Sequence, residues 1–173
     1  SLGYQVSLFT NGNAGLVWSN PFTEGGAGTS RGQLALAPDN QFHQLLGSGS
    51  YEVLSWVRAS GDVAIGRMTQ DAAFLPATLN PTLAMALPAV PDSSLNGKVD
   101  TFNGNGRLAF RLSDRLRVNA SYSRDVRHNR TSSESYPALA ADLFLGSTLR
   151  SNQPFTFKQD RYKVLADYRR ALA

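Results

Sequence analysis

Arg115-Leu-Arg-Val-Asn-Ala-Ser-Tyr-Ser-Arg-Asp-Val-Arg127 is the stretch that decides the fold. Leu116, Val118, Ala120, Tyr122 and Val126 fall on one set of alternate positions. Arg115, Arg117, Asn119, Ser121, Ser123, Asp125 and Arg127 fill the other, and only Arg124 breaks the order. Side chains of a pleated strand point alternately to opposite faces. A period of two with this content therefore means a strand with one apolar and one strongly polar face.

The same design recurs on both sides of it. Val164 and Ala166 alternate with Arg161, Lys163, Asp167 and Arg169, while Leu108 and Phe110 oppose Asn105, Arg107 and Arg111. Nearer the start, Leu2, Tyr4, Val6 and Leu8 alternate with Gly3, Gln5 and Ser7. Val57, Ala59, Val63 and Ile65 alternate with Arg58, Ser60, Asp62 and Ala64. Residues 41–51 read as a weaker strand, thinned by Gly47 and Gly49. About six strands result, most of them longer than the ~9–11 residues that cross a bilayer.

The connections alternate in length. Around Glu52–Leu54 and Ser113–Asp114 the chain turns within a few residues, as tight hairpins do. Between the hairpins, residues 19–40, 69–97 and 129–155 read as long irregular stretches, which are uncommon in compact soluble domains. Short turns alternating with long loops are the pattern of an outer-membrane barrel, short on the periplasmic side and long outside. The expected fold is all-β, a segment of an antiparallel up-and-down transmembrane β-barrel, with residues 2–17 as its first strand. Six strands are too few to close a bacterial barrel, and an open edge in lipid leaves backbone groups unpaired. Residues 1–173 are therefore expected to be part of a single larger barrel domain. The basic, non-aromatic end Arg169-Arg-Ala-Leu-Ala173 fits that expectation.

Composition agrees and removes whole classes. Of 173 residues, 42% are hydrophobic and 17% charged, against about 25% charged in ordinary soluble domains. Aromatic residues at 10% argue against disorder. Pro76, Pro81, Pro88 and Pro91 interrupt the charge-free run 72–91, so it is not a membrane-spanning helix. With no cysteine, disulfides, thiolate zinc, iron–sulfur clusters and covalent c-type haem attachment are excluded. A net charge of +4 would permit nucleic-acid binding only if it were clustered, and nucleic acid is not an expected partner.

Three stretches go beyond barrel grammar: Leu34-Ala-Leu-Ala-Pro-Asp-Asn-Gln-Phe-His-Gln44, then Gly61-Asp-Val-Ala-Ile-Gly-Arg-Met-Thr-Gln-Asp71 with Ala73-Phe-Leu-Pro76, and Leu95-Asn-Gly-Lys-Val-Asp-Thr101. In order and wording the chain resembles the MtrB/PioB family of decahaem-associated outer-membrane proteins. Asn20-Pro21-Phe22, residues 115–122 and residues 162–169 resemble that family's sequences as well. The resemblance implies a barrel in the bacterial outer membrane that sheathes a multihaem c-type cytochrome and supports electron transfer across that membrane. It implies a periplasmic decahaem cytochrome inserted in the barrel, an extracellular multihaem cytochrome as a further partner, and the lipid bilayer around both. Haem would be carried by the partner, with no cofactor and no catalytic residue in this chain. Some members carry an N-terminal cysteine pair that is absent here.

Candidate partner-facing residues on the polar face are Arg58, Asp62, Arg107, Arg111, Arg115, Arg117, Asn119, Arg161, Lys163, Asp167 and Arg169. They read equally as a surface that seats an acidic cytochrome and as lumen charge paired across strands. Arg58 and Asp62 share a face, so they are expected to pair locally. His43 and His128, without any Cys-x-x-Cys-His, read as polar contacts near strand ends or in loops. Asp92, Asn96 and Asp100 only loosely resemble a calcium loop. Gly104-Asn-Gly106 lies mid-strand, where it allows a bulge or a close approach of strands. Tyr4, Trp18, Trp56, Tyr122, Tyr162 and Tyr168 are candidates for an interfacial aromatic girdle. Two other functions compete with the cytochrome sheath. One is a diffusion porin or transporter using the same inner face, and the other is a soluble β-sandwich binding module with the long loops as ligand surface. No nucleophile–base set or metal cluster supports an enzyme.

Overall fold

Six of the two-faced segments pair side by side into one antiparallel sheet. The computed structural model describes residues 1–19, 31–139 and 147–169. The strands of the sheet are β1 (Leu2–Phe9), β4 (Asn40–Leu54), β5 (Val57–Gln70), β6 (Gly97–Arg111), β7 (Leu116–Asn129) and β10 (Phe157–Tyr168), in the order β1-β4-β5-β6-β7-β10. Two small hairpins stand apart from it: β2 (Gly15–Ser19) with β3 (Arg31–Ala35), and β8 (Ser135–Leu139) with β9 (Ser147–Ser151). One short helix, α1 (Pro81–Ala86), lies between β5 and β6. Sheet neighbours are always successive wall strands, as in an up-and-down meander.

Register fixes which side chains share a face, because directly opposed residues of an antiparallel pair point the same way. Tyr4, Leu45, Ile65, Phe102 and Val126 are opposed in turn from β1 to β7. Three rows lower, Tyr51, Ala59, Leu108, Ala120 and Val164 continue the same face into β10. The other face carries Ser48, Asp62, Asn105, Ser123 and Arg161 in one row, and Ser50, Ser60, Arg107, Ser121 and Lys163 in the next. Along β5 the apolar positions run from Val57 to Ile65, about 27 Å at 3.4 Å per residue. Tilted by ~40° they cover about 21 Å of bilayer, against an apolar band of ~25 Å in outer-membrane barrels.

Aromatic residues stand along the apolar face, Tyr4 in the row of Ile65 and Tyr122 and Tyr162 in the row of Gly61 and Gly106. Tyr122 and Tyr162 stack with ring centroids 4.8 Å apart, and the Tyr122 hydroxyl donates to Asp160 Oδ1 at 2.7 Å. The Tyr4 hydroxyl is 2.6 Å from His43 Nδ1. Toward the short turns stand Tyr51, Phe110 and Tyr168, with Trp56 in the turn and its ring 6.4 Å from Phe110. Trp18 departs from the girdle expectation: it belongs to β2, away from the wall, and its indole lies where a Cβ on Gly32 would be.

Hydrophobic burial is almost absent. Val57 (8% exposed) and Leu83 (4%) are the only buried hydrophobic side chains among the described residues, whereas Leu2, Tyr162 and Val164 are 79%, 76% and 70% exposed. A soluble sandwich buries one face of each sheet against the other. Among the described residues the apolar face has no second layer, so they do not form a sandwich.

Several expected boundaries shift. Residues 2–17 are not one strand: β1 stops at Phe9, where Asn11 accepts from the backbone of Asn13 and donates through its amide to Ala37 O, and its own N–H reaches Asp39. Residues 41–51 extend to the full fifteen-residue β4. The first tight turn lies at Ser55–Trp56, just beyond the expected place, and Glu52 and Leu54 mark a register shift there. The second spans residues 112–115, where Ser113 Oγ accepts from the amides of Arg115 and Leu116.

The long connections are not structureless either. Ala73 bridges to Ser94, the Phe74 amide donates to Ser93 O, and Gln33 Nε2 donates to Pro76 O, tying the 71–96 segment to the β2–β3 hairpin. Phe74 also meets Tyr136 of β8 edge-on at 5.4 Å. Asn80 caps α1 by accepting from Thr82 N, and Pro81 opens it. Asn96 supplies the left-handed turn (φ 47°) into β6. The expected stretch Asn20-Pro21-Phe22 and the end Arg170–Ala173 lie outside the described residues.

Candidate functional site

The polar face of the sheet gathers nine of the eleven candidate residues on four adjacent strands. Arg58 and Asp62 come from β5, Arg107 and Arg111 from β6, Arg117 and Asn119 from β7, and Arg161, Lys163 and Asp167 from β10. They share the face because all sit at the same parity of the alternation. All are exposed except half-buried Asn119. Arg115 lies in the β6–β7 turn and Arg169 just past β10, where the Arg169 amide donates to Arg115 O at 2.9 Å. These two extend the pairing beyond the strand ends.

Local chemistry sorts the charges. Arg111 and Arg117 oppose each other directly, a like-charge pair that costs stability unless each finds an anion. Arg111 Nη2 donates to Asp114 Oδ1 at 2.8 Å, and Asp167 stands opposite Arg117 on its other side. Asp62 accepts from Asn105 Nδ2 at 3.3 Å. No Arg58–Asp62 ion pair occurs among the described residues, which corrects the expected local pairing. Ser60 lies between the two on that face, and the cross-strand amide reaches Asp62 instead.

Ser1, Ser48, Ser50, Ser60, Asp62, Asn105 and Arg107 line an open depression of about 520 Å³ on this face. Short hydroxyl side chains there leave the wall low and hydrated, with Arg107 and Asp62 as its charges. Nearer the loop side the same face turns apolar. Phe42 opposes Met68, and its ring rests where a Cβ on Gly66 would lie, 2.7 Å from the ring atoms and 2.8 Å from Thr101 Oγ1.

Glu52, Asp125 and Arg127 also belong to the polar face, outside the candidate set. The alternation within 115–127 carried the signal for Asp125 and Arg127. For Glu52 it was hidden, because residues 41–51 read as a weak strand that ended one residue short. Both histidines fall on the apolar side: His43 is bonded to Tyr4 and lies 3.2 Å from Gln41, and His128 opposes Asp100. With no cysteine in the chain, neither is placed as part of a haem-attachment site. No cluster of three or more His, Asp or Glu suited to a metal ion occurs among the described residues; Asp92 and Asn96 lie in the connection before β6, and Asp100 lies in β6, where it accepts from Arg67. No helix among the described residues is long and apolar enough to cross a membrane, a criterion that does not bear on strands.

Comparison with known proteins completes the picture. The family model of outer membrane beta-barrel porins, MtrB/PioB, matches residues 1–171. Outer membrane protein MtrB of Shewanella baltica (strain OS185) is 29% identical over 169 residues, covering 98% of this chain and 23% of that protein. The chain thus spans about a quarter of the length of the curated relative it matches. A two-faced meander with alternating short and long connections, matched over nearly its whole length, belongs to the MtrB/PioB family of outer-membrane β-barrel proteins.

Proposed function

We propose that this chain forms one section of the wall of a larger barrel that sheathes a multihaem c-type cytochrome and supports electron transfer across the outer membrane. The observation that carries the reading is the polar face itself: four adjacent strands present exposed arginines, lysine and carboxylates over a wall of short side chains. A soluble cytochrome needs such a hydrated surface to sit against, and an excess of cations favours an acidic partner surface. In this reading Arg58, Arg107, Arg117, Arg161 and Lys163 orient the partner, and Asp62, Asn119 and Asp167 set the register of charge. The barrel positions and insulates; the redox chemistry belongs to the partner's haems, for which this chain offers no attachment site. Among the described residues the outer edges of β1 and β10 pair with no further strand, which fits membership of a longer sheet, since open edges are not tolerated in lipid.

The test reconstitutes the parent barrel with a decahaem cytochrome in liposomes enclosing a redox dye. External reductant is expected to discharge the dye only when both proteins are present. Discharge no faster than in empty liposomes refutes the sheath. The family's description as a porin favours a second reading, a water-filled diffusion pathway through the same face. Stable single-channel conductance that added cytochrome leaves unchanged supports that reading instead.

A further inference from the structure

The lipid-side face ends, toward the long loops, in a charged belt that the cytochrome reading does not use. His43, Arg67, Asp100 and His128 stand in one register row directly above the apolar row Leu45, Ile65, Phe102 and Val126. Asp100 accepts from Arg67 Nε at 2.7 Å and Nη2 at 3.2 Å, and Arg130 Nε lies 2.7 Å from its second oxygen. One carboxylate between two guanidiniums leaves positive charge in excess. Both arginine side chains remain 59% exposed, with donors still available. Lys98 lies one row further out on the same face, and its carbonyl accepts from the Arg130 amide at 2.8 Å. One and two rows below the belt, at the β7–β10 side of the same face, Lys158 and Arg124 flank Asp160 at 4.0 and 3.9 Å. Cations thus outnumber carboxylates five to two, on a face that looks away from the lumen.

Below the belt the face is shaped as well as apolar. The two rows around Arg67 and Ile65 enclose a depression of about 540 Å³. Beneath it Gly47, Gly49, Gly61, Gly104 and Gly106 come together on β4, β5 and β6, with Val63 between Gly47 and Gly104 and the Phe102 ring against Gly104, so the backbone is barest at Gly49 and Gly106. A Cβ on Gly49 or Gly106 would meet nothing within 4 Å. From Arg67 to Gly61 the track is about 20 Å long, at 3.3 Å per residue.

We propose that this is a binding site for a phosphate-bearing lipid of the outer leaflet. Its phosphate sits on the Arg67, Arg130 and Lys98 cluster, and one acyl chain lies along the glycine-floored furrow. Three features select this occupant. The belt lies on the long-loop side, at headgroup level; its charge complements phosphate, which guanidinium forks bind well; and an apolar track leads from it into the bilayer. The inference rests on the orientation of the wall and is independent of the cytochrome.

The experiment uses the whole barrel containing this chain, purified in detergent without cytochrome, with bound lipid counted by native mass spectrometry. Diphosphorylated lipid A is expected to bind saturably, and Arg67→Gln combined with Arg130→Gln to weaken it at least tenfold. Asp100→Asn, which removes the local carboxylate, is expected to tighten binding, a direction that misfolding does not produce. Arg117→Gln on the lumen face should leave lipid binding unchanged. Wild-type affinity in the double arginine variant overturns the proposal, as does equal binding of zwitterionic phosphatidylcholine. Complete displacement by millimolar inorganic phosphate would assign the cluster to free phosphate and also overturn it.

Discussion

Single residues decide which side of the wall tolerates what. Gly66 is the tightest case on the lumen side, since a methyl group there would lie 2.7 Å from the Phe42 ring and 2.8 Å from Thr101 Oγ1. Gly66→Ala is expected to destabilise the barrel by about 1–3 kcal/mol, as overpacking does. The check is the urea midpoint of the folded, heat-modifiable form. Phe42→Ala in the same background should recover part of the loss. The charged positions act differently. Reversing Arg117 and Arg161 together to glutamate should weaken cytochrome association on the order of tenfold at low salt, with the difference shrinking at high salt. Titration of the cytochrome onto the reconstituted barrel at two ionic strengths reads this directly. That Arg117 and Arg161 belong to one surface was legible in the alternation around them. The Arg67–Asp100–Arg130 group was not. Its members lie 33 and 30 positions apart in pairs, and only the register of β5, β6 and β7 brings them together.

At the scale of the element, β7 shows how sharply the two faces differ. Ala120 faces lipid between Leu108 and Val164, while Ser121 faces the lumen between Arg107 and Lys163. Ala120→Arg is expected to cost roughly 2–4 kcal/mol in the bilayer, and Ser121→Arg close to nothing. Equilibrium unfolding of the two variants in lipid vesicles separates these outcomes. β7 was the easiest strand to read because both of its faces are densely marked. β4 was harder, since Gly47 and Gly49 remove two outward side chains from a strand that runs fifteen residues. The first strand was overread for a different reason. Apolar residues reappear at 16–18, but Asn11 and its bonds to Asp39 and Ala37 have already turned the chain into the β2–β3 hairpin. Local periodicity reports that a segment is a strand; it does not report which sheet receives it.

For the whole molecule, the defining property is how few hydrophobic side chains are buried among the described residues. Stability has to come from strand pairing and from what surrounds the two faces, lipid on one side and water or a partner on the other. If the polar face seats a cytochrome, occupancy should close the lumen. Planar-bilayer recordings of the parent barrel are then expected to show conductance that falls by at least tenfold when the cytochrome is added. Fold class was legible from chemistry alone, because the membrane imposes a strict alternation that averages into an unremarkable composition. The loop elements α1, β2, β3, β8 and β9 were not. Their contacts, such as Phe74 against Tyr136 and Gln33 against Pro76, join segments whose sequences carry no shared period.

The strand order β1-β4-β5-β6-β7-β10 has a consequence for how this wall can change over time. Each wall strand pairs only with the one before and the one after, and the hairpins β2–β3 and β8–β9 hang from single connections. Lengthening a connection leaves every pairing register intact. The entropic penalty grows slowly, about 0.6 kcal/mol for each doubling of a flexible loop. The outer surface can therefore be rewritten by insertion and deletion, gaining or losing whole hairpins, while the wall and its two faces stay as they are. Variation among descendants of this sequence is expected to accumulate in segments 10–39, 71–96 and 130–156, in length as well as in identity.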